Sequence, residues 1–257
     1  MTSSQPGPSS ESISGLVSPT AEAVALGRAE DAPKAWQTGN SVRLPADHPG
    51  IGELFALLAY GEVAAFYRLT EEARMARDLR GRISMARMAA AEMGHFELLR
   101  EALDRRGVDV IAAMAKYGPA LENYHRLTTP STWLEALVKT YVADALAADL
   151  YSAIASALPD EAAEVVREVL AETAHSQFVV AEVRDAVTAS GKQRSRLALW
   201  SRRLLGEAIT QAQFLLAEHD ELVDLVLVGT GGLNELSVFF DQLQRTHDAR
   251  MGELGLG

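Results

Sequence analysis

The chain contains no cysteine. Disulfides and thiolate-held metals are therefore excluded, and any bound metal must be held by oxygen and nitrogen. Aromatic residues make up only 6%, and no segment reads as a credible strand. Positive charge is also short: 24 Lys and Arg stand against 35 Asp and Glu, a net charge of −11. Nucleic-acid binding by bulk electrostatics is disfavoured, because phosphate contacts need clustered cations. No 18-residue apolar run occurs, so no membrane span is expected. The opening Met1-Thr-Ser-Ser-Gln-Pro-Gly-Pro lacks the charged-then-apolar pattern of a signal peptide. These absences fit a cytoplasmic protein with no membrane partner.

What is abundant is Ala and Leu. Hydrophobic residues reach 48%, enough for a real core, and unbranched side chains lose little rotamer freedom in a helix. Residues 1–46, rich in Ser, Pro, Gly and Ala, read as a disordered tail, and 47–257 as one helical domain. The domain should open at the turn Asp47-His48-Pro49-Gly50. Ile51, Leu54, Phe55, Leu58, Phe66 and Leu69 recur at three- and four-residue steps and predict helix I over 51–77. Met85, Met88, Ala89, Phe96 and Leu99 predict helix II over 83–106, closed by Gly107. Residues 107–130 look less regular, with turn signals at Gly118-Pro119 and Thr129-Pro130. Ser131 or Thr132 would cap helix III, which runs to about Leu158, and helix IV spans 160–189. Two more helices are expected over 195–222 and 232–252, with Gly229, Gly231 and Gly232 as a hinge between them. The pattern is an all-α four-helix bundle with a long crossover between helices II and III, plus two C-terminal helices.

Helix II contains Glu92-Met93-Gly94-His95, and helix IV contains Glu172-Thr173-Ala174-His175. Residues three apart share a helix face, so each motif presents a carboxylate with an imidazole. Glu62, thirty residues before Glu92, has only apolar helical neighbours in Leu58, Ala59, Ala65 and Phe66. A lone carboxylate on such a face is costly unless something pairs with it. Helix III should supply a matching acid. Asp144, twenty-eight residues before Glu172, mirrors that spacing, and Asp149 is the competitor. Two nearby metal ions repel; carboxylates offset and bridge their charge, and one imidazole binds each. The expected ligands, which are also the catalytic residues, are Glu62, Glu92, His95, Asp144, Glu172 and His175, holding two iron ions, with manganese as the alternative. A third spacing of this kind, Glu122-Asn123-Tyr124-His125, falls in the irregular connection and has no partner acid.

Gly61-Glu62, Ala91-Glu92-Met93-Gly94-His95-Phe96 and Ala171-Glu172-Thr173-Ala174-His175 resemble the ferritin-like di-iron superfamily. Within it, the chain is similar to the tRNA-(2-methylthio-isopentenyl-adenosine) hydroxylase-like family over roughly residues 50–185. The resemblance implies a non-haem di-iron monooxygenase that inserts one atom of dioxygen into a C–H bond using an external electron donor. Glu62, Glu92, His95, Glu172 and His175 carry over as ligands. The sixth position departs from the pattern, because Asp144 stands where Glu is usual. The substrate would be a modified tRNA nucleoside or a small molecule.

Arginines 74, 77, 80, 82 and 87 gather near the helix I–II turn, and Lys192, Arg194, Arg196, Arg202 and Arg203 near the fifth helix. Either group could meet phosphates or be an ordinary solvated face. Tyr60, Tyr67, Tyr141 and Tyr151 are candidate redox relays, with core tyrosines as the plainer reading. Rival functions are iron oxidation and storage, peroxide consumption, and a metal-free binding scaffold. Ala-rich helices also leave room for a homodimer face.

Overall fold

The computed structural model describes residues 43–170 and 175–257, with the side chains of 175, 176 and 233–235 also outside the description. The tail reading for 1–42 lies outside the described residues. Regular structure among the described residues is entirely helical. The described residues ahead of the expected turn already pack on the domain. Leu44 is buried and donates its N–H to the Ala157 carbonyl at 2.8 Å, and Arg43 pairs with Asp160 at 2.6 Å.

Helix α1 (Pro49–Glu72) starts where His48 Nδ1 accepts the Gly50 N–H, with Pro49 in the first turn. A 3-10 turn at Ala73–Met75 ends it. Asp78 then caps α2 (Leu79–Arg105) by accepting the Gly81 N–H at 2.8 Å. Ile51, Leu54, Phe55 and Ala59 of α1 and Leu99 and Leu103 of α2 belong to one buried core. Pro49–Met75 is long and apolar enough to cross a membrane by composition alone. Within it, Ile51, Leu54, Phe55 and Ala59 are buried in this core, and 33% of its most apolar stretch is buried.

The crossover is more regular than the sequence suggested. It holds α3 (Val110–Ala115), capped by Asp109, and α4 (Gly118–Leu127), opened by Pro119. Proline in a first helical turn is a start signal as well as a turn signal, and here the start prevailed. Helix α5 (Trp133–Ile154) is capped by Thr132.

Helix IV is observed as α6 (Asp160–Val169) and α7 (His175–Ala189), with 171–174 between them outside the described residues. Contacts of α1 with α2, α2 with α6 and α7, and α5 with α7 build the four-helix bundle. The C-terminal part forms three helices rather than two: α8 (Gly191–Glu218), α9 (Asp220–Thr230) and α10 (Leu233–Glu253). The chain breaks at His219, between α8 and α9. Gly231 and Gly232 have φ of 95° and 125° and make the α9–α10 turn as glycines can. Gly229 is no hinge. It lies inside α9, where an added Cβ would come within 2.7 Å of the Ile154 backbone, so it allows α9 to close on α5.

Candidate metal centre

Glu62 on α1 and the Glu92–His95 pair on α2 meet inside the bundle. One ligand atom from each lies within 4.8 Å of the others. His95 Nδ1 is 3.4 Å from Glu62 Oε2 and 3.5 Å from Glu92 Oε2. The side chains are 11%, 18% and 20% exposed, so water screens them weakly. Burial drives the Glu62 carboxyl above the ordinary range, and the neighbouring Glu92 charge adds to it while His95 opposes it. Glu92 is lowered despite its own burial, through its contacts with His95 and Glu62. His95 is pushed up to about 10, chiefly by Glu62 and then by Glu92. The three groups thus form a proton-holding cluster that favours positive charge.

Asp144 and Asp149 have different surroundings on α5. Asp149 is buried and committed. Arg250 of α10 grips it at 2.5 and 2.7 Å, and Thr246 donates to it at 3.2 Å. Asp144 makes no such pair among the described residues. It keeps accessible surface although protein crowds it. Loss of hydration, then the Glu92 carboxylate, lifts it to about 7, while Arg68 and His95 oppose the rise. Its accessible surface argues against full dehydration, so the influence of Glu92 and His95 is the firmer part: Asp144 stands in the field of the same cluster. Glu172 lies outside the described residues. His175 begins α7, but its side chain is also outside the description.

Sequence reasoning missed a second buried polar group next to this centre. Arg68, six residues after Glu62, donates to Glu72 at 2.9 Å and to Thr140 at 3.0 Å. Thr140 is one helical turn before Asp144. Lys139 is 1% exposed and donates to the Thr128 carbonyl at 2.9 Å. Burial, then Arg68, lowers it to about 7. The available signal was Arg68 and Glu72 at an i,i+4 spacing in a largely apolar helix.

The remaining candidates take ordinary positions. Tyr60 donates to Glu122, Tyr141 to Glu253 and Tyr151 to the Ala163 carbonyl, while Tyr67 is 64% exposed. The Glu122–His125 spacing yields no three-ligand cluster among the described residues. Arg74, Arg77, Arg80, Arg82 and Arg87 are exposed and make no ion pair among the described residues. Arg196 is bound to Glu135, and Arg203 to the Leu127 carbonyl.

Residues 47–229 match the family described as ferritin-like domain, actinomycetes. The chain belongs to this family. Its matched stretch runs from the turn before α1 to the end of α9, and so includes every candidate ligand. No curated protein matches the chain. Membership establishes the ferritin-like scaffold.

Proposed function

We propose that this chain is a dimetal oxidoreductase that activates dioxygen to hydroxylate an organic substrate, with two iron ions, or manganese, as its resident metals. The supporting observation is the convergence of Glu62, Glu92 and His95 in the bundle interior. The donors suit those ions: carboxylate oxygen and imidazole nitrogen, without sulfur. Glu62, Glu92 and His95 would hold one ion, and Asp144, Glu172 and His175 the other. Bound iron would supply the redox chemistry with dioxygen, and an external donor would supply the electrons.

The chain's own residues do the rest. The His95 proton must leave before the imidazole can coordinate, and Glu62 must lose its proton as well. Phe55, Ala59, Met85, Met88 and Leu99 on the two helices are buried and limit the entry of bulk water. Arg68 supplies a fixed positive charge on the Asp144 side, which opposes excess negative charge there. The substrate class, a modified tRNA nucleoside or a small molecule, rests on the resemblance of the Glu-x-x-His segments. The unpaired arginines near the α1–α2 turn favour an anionic partner at that end.

One observation favours a metal-free scaffold instead: His95 already touches both carboxylates. Those contacts, at 3.4 and 3.5 Å, are longer than the roughly 2.8 Å of a closed ionic hydrogen bond. They describe a loose cluster and not a locked one.

The test is elemental analysis of protein grown in iron-supplemented medium, beside a His95→Ala/His175→Ala variant. About two ions per chain, lost in the variant, supports the proposal. Absence of metal in the unaltered protein, even after anaerobic ferrous reconstitution, refutes it. Oxygen consumption with candidate substrates follows only from the first result.

A further inference from the structure

A cavity of about 540 Å³ opens between the C-terminal half of α1 and α4. That size is typical of small-molecule sites. None of Glu62, Glu92, His95 or Asp144 lines it, and Arg68 stands between it and those residues. Its apolar wall includes Tyr60, Tyr67, Met75 and Met114. Gly118 lets α4 approach closely here, since a Cβ at that position would come 3.2 Å from the Tyr60 hydroxyl.

The charges on the wall do not balance. Glu71, Glu72 and Glu122 face a single guanidinium, that of Arg68. Arg68 is only 8% exposed and already donates to Glu72 and Thr140. His125 also lines the space and is held neutral, because burial, then Lys139 and Arg68, lowers it to about 3. Glu71 and Glu122 are exposed, and no cation pairs with either among the described residues. Glu122 accepts a hydrogen bond from the Tyr60 hydroxyl at 2.6 Å. The reachable charge is therefore negative, beside two aromatic rings and two thioethers.

We propose that this cavity binds an organic cation: a primary or quaternary ammonium carried on an apolar or aromatic body. Aromatic faces attract such cations through their quadrupole, and methionine sulfur adapts to irregular apolar shapes. Glu71 and Glu122 supply the opposite charge. An anionic ligand of equal size would meet both carboxylates while the one nearby guanidinium is occupied. This inference does not rest on the metal reading, because the groups that would hold the cation, Glu71, Glu122 and the two tyrosines, are not among the candidate metal ligands.

Calorimetric titration of the full chain with benzyltrimethylammonium at low salt tests it, with phenylacetate as the anionic counterpart. The expected result is saturable binding of the cation and none of the carboxylate. Glu71→Gln/Glu122→Gln, at two exposed positions, should weaken cation binding about tenfold or more. Ala64→Phe, which fills the space, should abolish it. Thermal melting checks that both variants fold, and repeating the titration on chelator-stripped protein should leave binding unchanged. No saturable binding overturns the proposal, as does equal affinity for phenylacetate or unchanged affinity in the Glu71/Glu122 variant.

Discussion

If Glu62, Glu92 and His95 hold a metal as proposed, that metal must compete with protons, and the size of the competition follows from the site. His95 is pushed up to about 10 by the two carboxylates and Glu62 is raised by burial, so at pH 7 the metal-free pair holds at least one proton, shared over the imidazole and the Glu62 carboxyl. Coordination requires the neutral imidazole and the carboxylate. An ion entering here should therefore displace between one and two protons. Apparent affinity should then rise between about tenfold and 100-fold per pH unit near neutrality, or about 1.4–2.7 kcal/mol. The slope should fall toward tenfold once Glu62 has ionised. Manganese titrations followed by paramagnetic resonance at pH 6, 7 and 8 give the slope. Calorimetry in buffers of different ionisation enthalpy counts the protons directly. His95→Ala should bind more weakly and release about one proton fewer. The same shift makes a claim about the metal-free fold. The His95 proton affinity lies above its unfolded value of 6.5, so its contribution is complete below that pH and lost as pH rises toward about 10. Affinity independent of pH between 6 and 8, with no proton release, would falsify this account of the cluster.

Other consequences reach beyond the centre. Arg250→Met strands the buried Asp149 carboxylate and should cost about 3 kcal/mol, read as a lower urea midpoint, and Asp149→Asn in the same chain should recover part of it. Less than about 1 kcal/mol for the single change would contradict the burial argument. Lys139→Met should raise stability at pH 6 by about 1–3 kcal/mol. The folded chain holds the Lys139 proton less tightly, about 7 against 10.5 when unfolded, so the lysine adds stability as pH rises across that interval. The variant should lose that rise in a pH series of denaturant melts. Gly229→Ala should lower stability by about 1–3 kcal/mol by forcing α9 away from α5, and an unchanged melting temperature would show that the helices give way easily.

The parts of this molecule that were readable in sequence are those governed by local spacing. Glu92–His95 could be found because three residues on a helix return to the same face, and α1 and α2 because apolar residues recur at helical steps. The start of α2, at Leu79 and not at the expected 83, is set by Asp78, a short polar side chain that reaches an N–H three residues on. The choice between Asp144 and Asp149 was not local. It depends on Arg250, 101 residues from Asp149 in the chain. The Arg68–Thr140 bond spans 72 residues and was equally invisible. The short crossover helices were missed because Gly118-Pro119 serves turns and helix starts alike.

Arg250 has a further consequence. Helix α5 carries two acids five residues apart, which place their side chains on different faces of the helix. By binding Asp149, Arg250 leaves Asp144 as the acid of the two without such a pair among the described residues. The selecting residue lies on α10, beyond the 47–229 stretch shared with the family. In the proposed centre, the availability of Asp144 over Asp149 would thus depend partly on an appendage to the domain. A relative ending at α9 would have to choose between the two acids by other means.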